Sequence, residues 1–192
     1  MDIIINNLSK RYGKNQVLHH LCAKIEEGRI TSIMGPSGVG KTTLLRILAR
    51  LESADEGEVE GIGQKRVSMV FQEDRLCENL SPISNIRLVC GRGISVSKME
   101  EELCKVGLRE SRMQPVRELS GGMRRRVALV RALMASYDIL ILDEPFKGLD
   151  EDNKREMMEY TLEKSAGKTV IFVTHEDNEA KFMGGNIIHM GA

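Results

Sequence analysis

The chain has 192 residues, of which 41% are hydrophobic and 29% are charged, and these values predict one soluble globular domain with a substantial core. Because 28 basic residues balance 28 acidic ones, no overall positive charge attracts the chain to nucleic acid or to anionic lipid. No stretch approaches the roughly 20 apolar residues of a membrane span, the N-terminus lacks a basic segment and a cleavage site, and the four scattered cysteines predict reduced thiols, not a metal site.

The first elements in chain order predict a β-rich N-terminal part. Residues 2–8, 17–18 and 21–25 have the pattern of strands, and the polar run 10–15 is predicted to be a turn. Tyr12 lies in that run. Its ring could stack on a purine beside a phosphate site, and packing of the ring on the sheet is an equally good interpretation.

Residues 35–43, Gly-Pro-Ser-Gly-Val-Gly-Lys-Thr-Thr, match the phosphate-binding pattern G-x-x-x-x-G-K-[ST]. A predicted strand at 29–34 enters this loop and a predicted helix at 42–50 leaves it, so bound phosphates would lie at a helix N-terminus. Lys41 is placed to contact the β- and γ-phosphates, and the Thr42 hydroxyl can ligate Mg²⁺. The predicted nucleotide-binding residues of this loop are Gly35, Ser37, Gly38, Val39, Gly40, Lys41, Thr42 and Thr43.

Gln72 follows two segments with strand patterns, 58–63 and 66–71. A glutamine at the end of an apolar strand could ligate Mg²⁺ or contact the γ-phosphate. Taken alone, it would be interpreted as a polar residue that caps the strand.

Residues 80–117 predict a helical insertion into an α/β core, interrupted by Pro82 and by glycines at 91 and 93. An amphipathic helix is predicted over 97–107. Its apolar face would contain Met99, Leu103 and Val106. The exposed face of the insertion is a candidate surface for a partner.

A second anion-binding feature is predicted at 119–123, Leu-Ser-Gly-Gly-Met, which precedes a strongly helical segment at 124–134. Ser120-Gly-Gly would expose backbone N–H groups at a positive helix end. Arg124, Arg125 and Arg126 oppose the macrodipole there, at about 0.3–1 kcal/mol each if uncompensated. An approaching phosphate or acidic partner would compensate them, and a solvated face remains an interpretation for at least one arginine.

The apolar run 138–143 predicts a central strand of a parallel sheet that ends in Asp143-Glu144. A carboxylate at such a strand end is suited to hold Mg²⁺, and the adjoining Glu144 could act as a general base on water. The apolar run 169–173 predicts a further strand, which is followed by His175. Ligands bind at this carboxyl edge of open α/β sheets, so His175 is a candidate site residue.

With these motifs in this order, nearly the whole chain resembles the ATP-binding subunits of ABC transporters. The resemblance implies an α/β fold with a P-loop NTPase (RecA-like) core, a mostly parallel sheet, an N-terminal antiparallel β part and a small helical subdomain. A single ABC ATPase domain would comprise residues 1–192, with the core at about 1–79 and 118–192 and the helical subdomain at about 80–117.

The resemblance also implies a role for each matching residue. Lys41, Glu144 and His175 would be catalytic, with Glu144 as the base and His175 as the switch residue at the γ-phosphate. Thr42, Gln72 and Asp143 would ligate Mg²⁺. The remaining roles are adenine stacking by Tyr12, contact with the partner's ATP by Ser120, Gly121 and Gly122, and the dimer loop at Asp150, which also caps a predicted helix at 151–165.

The implied function is that of a homodimer or heterodimer that sandwiches two ATP·Mg²⁺ and powers a separate transmembrane subunit. Such a protein is cytoplasmic and peripheral on the inner face of the cell membrane. Met123 stands where many family members have glutamine, and Leu-Ser-Gly-Gly-Met-Arg is similar to the nitrate/sulfonate/taurine importer group, which favours an importer. The chain is short for the family, and no C-terminal regulatory extension is expected.

Two alternatives share the same ATPase chemistry. One is an ABC exporter. The other is a soluble ABC ATPase of DNA repair or translation, but the sequence shows neither the coiled-coil insertion nor the second ATPase domain that such proteins carry. The balanced charge also predicts no direct contact with nucleic acid.

Overall fold

The computed structural model describes residues 1–91 and 93–191. In that part of the chain the strands are β1 (Ile3–Tyr12), β2 (Asn15–Ile25), β3 (Ile30–Met34), β4 (Glu56–Glu60), β5 (Val67–Val70), β6 (Ile139–Asp143), β7 (Thr169–Val173) and β8 (Asn186–His189). The helices there are α1 (Lys41–Leu48), α2 (Pro82–Arg87), α3 (Val96–Lys105), α4 (Gly121–Met134), α5 (Glu151–Lys164) and α6 (Asp177–Met183), with a short 3₁₀ turn at Val116–Glu118.

The strands form an antiparallel sheet in the order β2-β1-β4 and a parallel sheet in the order β5-β6-β7-β3-β8. All five residues of β6 are buried, as are all five of β7, because both strands have neighbours on either side and are covered on both faces. This arrangement agrees with the predicted α/β class, its mostly parallel sheet and its antiparallel N-terminal part.

Alternate residues of the central strands belong to two separate apolar clusters. Ile139 and Ile141 of β6 face the cluster formed with α1 and the antiparallel sheet. Leu140 and Leu142 face the cluster formed with α2 to α5. The period of two along a strand therefore divides the core into two layers, one on each face of the parallel sheet.

The prediction of a turn over 10–15 is wrong. β1 continues to Tyr12 and β2 begins at Asn15, with these two residues paired across the strands, so the turn contains only Gly13 and Lys14. Gly13 has a φ of 59°, a left-handed conformation that suits a two-residue hairpin turn. Pairing with the partner strand holds the polar residues of 10–12 in an extended conformation that their composition does not predict.

The region 80–117 is helical, as predicted, but it contains one helix that the sequence analysis missed. Pro82 was interpreted as an interruption, and it is instead the first residue of α2, where its missing N–H costs nothing. Ser81 caps this helix by accepting a hydrogen bond from the N–H of Ser84. The division into core and subdomain at about 80 and 117 stays a prediction.

A buried carboxylate joins α3 to α5. Glu102 is 2% exposed and accepts hydrogen bonds from the Tyr160 hydroxyl (2.8 Å) and the Lys164 ammonium (2.9 Å). Burial would raise the pKa of Glu102, but these donors and Lys98 lower it to about 2. The ionised carboxylate therefore ties the helical region to the core at neutral pH.

Two C-terminal elements, α6 and β8, were not predicted. Both are short, and β8 pairs in parallel with β3 at the edge of the sheet. Within the described residues, no helix is long and apolar enough to cross a membrane.

Candidate nucleotide-binding and catalytic site

The predicted site residues meet because three parallel strands end at one edge of the sheet. Asp143 of β6 is paired with Val173 of β7, and Val173 is paired with Ile33 of β3. Each strand is followed at that edge by a predicted functional segment: the phosphate-binding loop after β3, Glu144 after β6 and His175 after β7.

The phosphate-binding loop has a backbone that requires glycine at Gly40. Its φ is 101°, and a Cβ there would lie 2.7 Å from the Val17 carbonyl oxygen and 2.7 Å from Leu18 Cδ2. Gly40 directly precedes α1, so the loop passes straight into a helix N-terminus. The backbone N–H groups of the loop and of the first helical turn therefore supply donors for an anion.

Lys41 folds back over this loop and is 6% exposed. Its Nζ donates to the carbonyl oxygens of Gly35 (2.8 Å) and Pro36 (2.9 Å). Burial lowers the pKa of Lys41, and the carboxylates of Glu144 and Asp143 partly offset that effect. The ammonium thus faces the space between the loop and the two carboxylates.

Thr42 and Asp143 are 101 residues apart in sequence and form a direct contact. The Thr42 hydroxyl donates to Asp143 Oδ2 at 3.0 Å, and Asp143 is 2% exposed. Burial raises the pKa of Asp143, while the Thr42 hydrogen bond and the charges of Arg125 and Lys41 act in the opposite direction. A hydroxyl and a carboxylate oxygen side by side are the hard oxygen donors that Mg²⁺ prefers.

Glu144 has an unusual backbone for a residue with a side chain, with a φ of 47°. Its N–H donates to the Val173 carbonyl oxygen, which fixes the turn after β6 against the end of β7. Its Oε1 lies 2.9 Å from His175 Nε2 and its Oε2 lies 2.7 Å from Lys147 Nζ. Partial burial would raise the pKa of Glu144, but its contacts with Lys147 and His175 lower it further than burial raises it. Glu144 is therefore an ionised carboxylate at neutral pH.

These groups line one cleft of about 380 Å³. Its lining residues are Val17, Ser37, Gly38, Gly40, Lys41, Thr42, Thr43, Gln72, Asp143, Glu144 and His175. Gln72 reaches it from the loop after β5, whose last residue, Val70, is paired with Leu142 of β6. Gly35 and Val39 support the loop from outside this lining, with Val39 partly buried against the core.

Tyr12 lies outside the cleft lining, at the end of β1. Its ring is 45% exposed, so it is not buried in the sheet. Its hydroxyl is hydrogen-bonded to the Glu52 carboxylate, a contact that orients the ring.

The segment Ser120-Gly121-Gly122 lies outside the lining of this cleft. Ser120 caps α4 by accepting a hydrogen bond from the N–H of Met123 (3.2 Å), and both Ser120 and Gly121 are exposed. A Cβ at Gly121 would meet nothing within 4 Å, so this helix end is open to an incoming molecule. Asp150 likewise caps α5 through the N–H of Asn153 (3.0 Å) and is exposed.

Comparison with known proteins gives the same assignment from three directions. Residues 18–147 match the ABC transporter family. The chain belongs to that family. The spermidine/putrescine import ATP-binding protein PotA of Bacteroides fragilis (strain YCH46) is 34% identical over 98% of this chain and 44% of its own length. The aliphatic sulfonates import ATP-binding protein SsuB 1 of Rhodococcus jostii (strain RHA1) is 39% identical over 94% of this chain and 76% of its own length.

A solved dimeric structure of MJ0796, described as a bacterial ABC transporter cassette, superposes with a TM-score of 0.84 and 30% identity over 98% of this chain and 94% of that one. A post-hydrolysis state of the same cassette, bound to ADP and Pi, superposes with a TM-score of 0.86. The predicted family and fold class are thereby confirmed. The chain spans about half the length of some of its curated relatives.

In this ABC cassette the arginines at the start of α4 form hydrogen bonds within the chain, and compensation of their charges by a phosphate or an acidic partner stays a prediction. Arg124 donates to the Leu119 carbonyl oxygen (2.8 Å) and Arg126 to that of Val106 (2.7 Å). Arg125 is 3% exposed and bonds to carbonyls beside the cleft. Arg124 and Arg125 also lie 3.9 Å and 3.3 Å from oxygens of the Asp74 carboxylate.

Two residues near the cleft were missed by the sequence analysis. Lys147 contacts Glu144, and no pattern in the sequence predicts that pair. Arg125 did carry a signal, because it lies three, four and seven residues before Ala128, Leu129 and Ala132, all of which are buried. That spacing places it on the buried face of α4.

Proposed function

We propose that this chain binds ATP with Mg²⁺ and hydrolyses it to power import of a small solute through a separate transmembrane subunit. The observation that carries the proposal is the convergence of Lys41, Thr42, Asp143, Glu144 and His175 on one cleft. Import is favoured by the relatives, which are named import ATP-binding proteins. The site of action would be the cytoplasmic face of the membrane.

Phosphate binding follows from the loop and its lysine. The N–H groups at the start of α1 receive the β-phosphate, and Lys41 exchanges its two carbonyl contacts for phosphate oxygens. Because the ammonium is already desolvated, its attraction for a phosphate is stronger than that of an exposed lysine. Tyr12, with its ring oriented by Glu52, is proposed to stack on the adenine.

Thr42, Asp143 and Gln72 are proposed to hold the magnesium ion. Thr42 Oγ1 and Asp143 Oδ2 lie 3.0 Å apart, and Gln72 adds an amide oxygen to the same cleft. No group of three or more His, Cys, Asp or Glu suited to a metal occurs among residues 1–91 and 93–191. A site with only one or two carboxylates is typical of Mg²⁺, because this ion keeps several waters and takes substrate phosphates as ligands. When bound, the ion would neutralise charge on the phosphate oxygens.

Glu144 is proposed as the general base for the attacking water. His175 contacts one oxygen of its carboxylate and Lys147 contacts the other. These contacts lower the pKa of Glu144 and keep the carboxylate ionised, as a general base requires. His175 also lies at the edge where the γ-phosphate would end, so its contact with Glu144 can change when nucleotide is present.

Asp150 is proposed to take part in the contact between two cassettes.

Ser120, Gly121 and Gly122 are proposed to bind ATP held by a second cassette. They form an exposed helix end that lies outside the lining of the chain's own cleft, and two separate anion sites on one chain suit a two-fold dimer. The dimeric state of the solved relative supports this geometry.

Gly121→Asp is expected to abolish ATP-driven dimerisation while leaving ATP affinity of the monomer within about threefold of wild type. The new side chain points into open space in the monomer, but it would place a carboxylate against the partner's phosphates. Sedimentation and nucleotide binding measure the two effects. Gly93→Asp is the matched control, because Gly93 is equally open and its φ is not in the left-handed region. A loss of monomer affinity in Gly121→Asp would contradict a site that acts on the partner.

The transport function is tested by isolating the tagged chain from its source membrane after mild cross-linking. We expect a membrane protein with several spanning helices to co-purify, and the reconstituted complex to move a solute inward only when ATP and Mg²⁺ are on the side of the cassette. Outward movement would establish an exporter. Recovery of ribosomes or DNA without any membrane protein would contradict transport.

A further inference from the structure

One guanidinium group connects the two loops that flank the cleft. Arg125 is the fifth residue of α4 and is 3% exposed. Its Nε donates to the Pro145 carbonyl oxygen (2.7 Å), and its Nη2 donates to those of Asp143 (3.0 Å) and Glu144 (2.6 Å). All three acceptors belong to the turn that carries the two catalytic-site carboxylates.

The other nitrogen of the same group faces the loop after β5. Nη1 of Arg125 donates to the carbonyl oxygens of Phe71 (2.6 Å) and Gln72 (3.3 Å), and it lies 3.3 Å from Asp74 Oδ1. A guanidinium is planar and rigid, so groups bonded to its opposite edges are held at a set distance from each other.

The turn at Glu144 needs such a constraint. A φ of 47° in a residue with a side chain is a strained conformation that persists only where the surrounding structure holds it. One side is held by the bond from the Glu144 N–H to the Val173 carbonyl oxygen. Arg125 holds the other side through three consecutive carbonyls.

We propose that Arg125 is a positioning residue that sets the distance between the Glu144 carboxylate and the Gln72 side chain. The proposal rests on the proposed ATPase function and adds a residue that does not itself reach the nucleotide. Burial lowers the pKa of Arg125, and Asp74 is the only carboxylate among its hydrogen-bond partners in the described chain. Burying a cation to this degree costs folding free energy. We infer that Arg125 contributes to function by fixing the relative positions of the two loops.

Arg131 provides a matched control on the same helix. Its guanidinium donates to the carbonyl oxygens of Asp74 (3.1 Å) and Arg75 (2.9 Å), so it holds the same loop after β5. Burial lowers its pKa as well. Its hydrogen bonds do not extend to the turn at 143–145, so only Arg125 spans both loops.

The experiment compares Arg125→Lys and Arg125→Met with Arg131→Lys and Arg131→Met in the full chain. For both Arg125 variants we expect kcat for ATP to fall about 10–100-fold, as for other supporting contacts, and the ATP dissociation constant to change less than about threefold. Lysine keeps the charge beside Asp74 but cannot bond to both loops at once. The Arg131 variants should retain kcat within about threefold.

Hydrogen exchange supplies a readout that does not depend on turnover. The N–H groups of Glu144 and Lys147 are bonded to the Val173 and Glu144 carbonyl oxygens, and both should exchange faster in the Arg125 variants. They should be unchanged in the Arg131 variants. If wild-type chain failed to hydrolyse ATP, the proposed function would fall, and this measurement would still decide the role of Arg125.

Three results would overturn the inference. One is an Arg125→Lys variant with wild-type kcat and exchange. Another is an equal loss of kcat in the Arg131 variants, which would show that contacts with the loop after β5 alone account for the effect of Arg125. The third is global unfolding of both Arg125 variants, detected by thermal melting, which would make the residue a structural one.

Discussion

Glu144→Gln is expected to bind ATP and Mg²⁺ with near wild-type affinity and to hydrolyse ATP about 10²–10⁴-fold more slowly. Glutamine keeps the size of the side chain but cannot take a proton from water. Lys41, which is proposed to contact the phosphates, and the oxygen pair of Thr42 and Asp143 are left in place. Since ATP would close the dimer and hydrolysis would release it, the variant should accumulate as a closed dimer. Single-turnover kinetics and sedimentation measure both effects.

Asp143→Asn is the matched comparison, because it also converts a carboxylate to its amide, one residue away. Asp143 ends β6 and contacts Thr42, whereas Glu144 lies in the turn that follows and contacts His175 and Lys147, so the two carboxylates do not share one ligand position. The amide can still accept the hydrogen bond from Thr42, but it lacks the charge that attracts Mg²⁺. We expect ATP affinity to lose its dependence on Mg²⁺ in Asp143→Asn and to keep it in Glu144→Gln. Exchanged phenotypes, or a Glu144→Gln variant with near wild-type turnover, would refute the two assignments.

Lys41→Ala is expected to reduce ATP affinity strongly and to leave turnover at background. The substitution removes the cation that faces the β- and γ-phosphates in both the ground state and the transition state. It also removes a buried ammonium whose two carbonyl partners, Gly35 and Pro36, belong to the loop itself. Nucleotide titration and phosphate release measure the two losses.

Lys24→Ala is the control for Lys41→Ala. The Lys24 side chain is 58% exposed and is paired with Asp2 on the antiparallel sheet, away from the cleft. This variant should bind and hydrolyse ATP as the wild type does. Near-normal turnover in Lys41→Ala, measured with contaminating ATPases excluded, would show that the loop at 35–43 is not the phosphate site.

The local motifs could be predicted from the sequence because their chemistry depends on near neighbours. The loop at 35–43 needs glycines, a lysine and a threonine at short spacing, and the structure places Gly38, Gly40, Lys41 and Thr42 around one cleft. The continuous apolar run of β6 predicted a buried central strand, and all five of its residues are buried. The apolar face of α3 was predicted from its helical period, and Met99, Leu103 and Val106 are all buried.

Tertiary structure decided the contacts between segments that are far apart in sequence. Thr42 meets Asp143 across 101 residues because β3 and β6 end at the same edge of the sheet. Likewise, the run at 10–12 is a strand only because β2 pairs with it. The partners of Arg125 are set in the same way, since a charged side chain in a sequence gives its charge but not the group it will face. Periodicity places Arg125 on the buried face of α4, whereas the packing of α4 against two loops decides which carbonyl groups its guanidinium contacts.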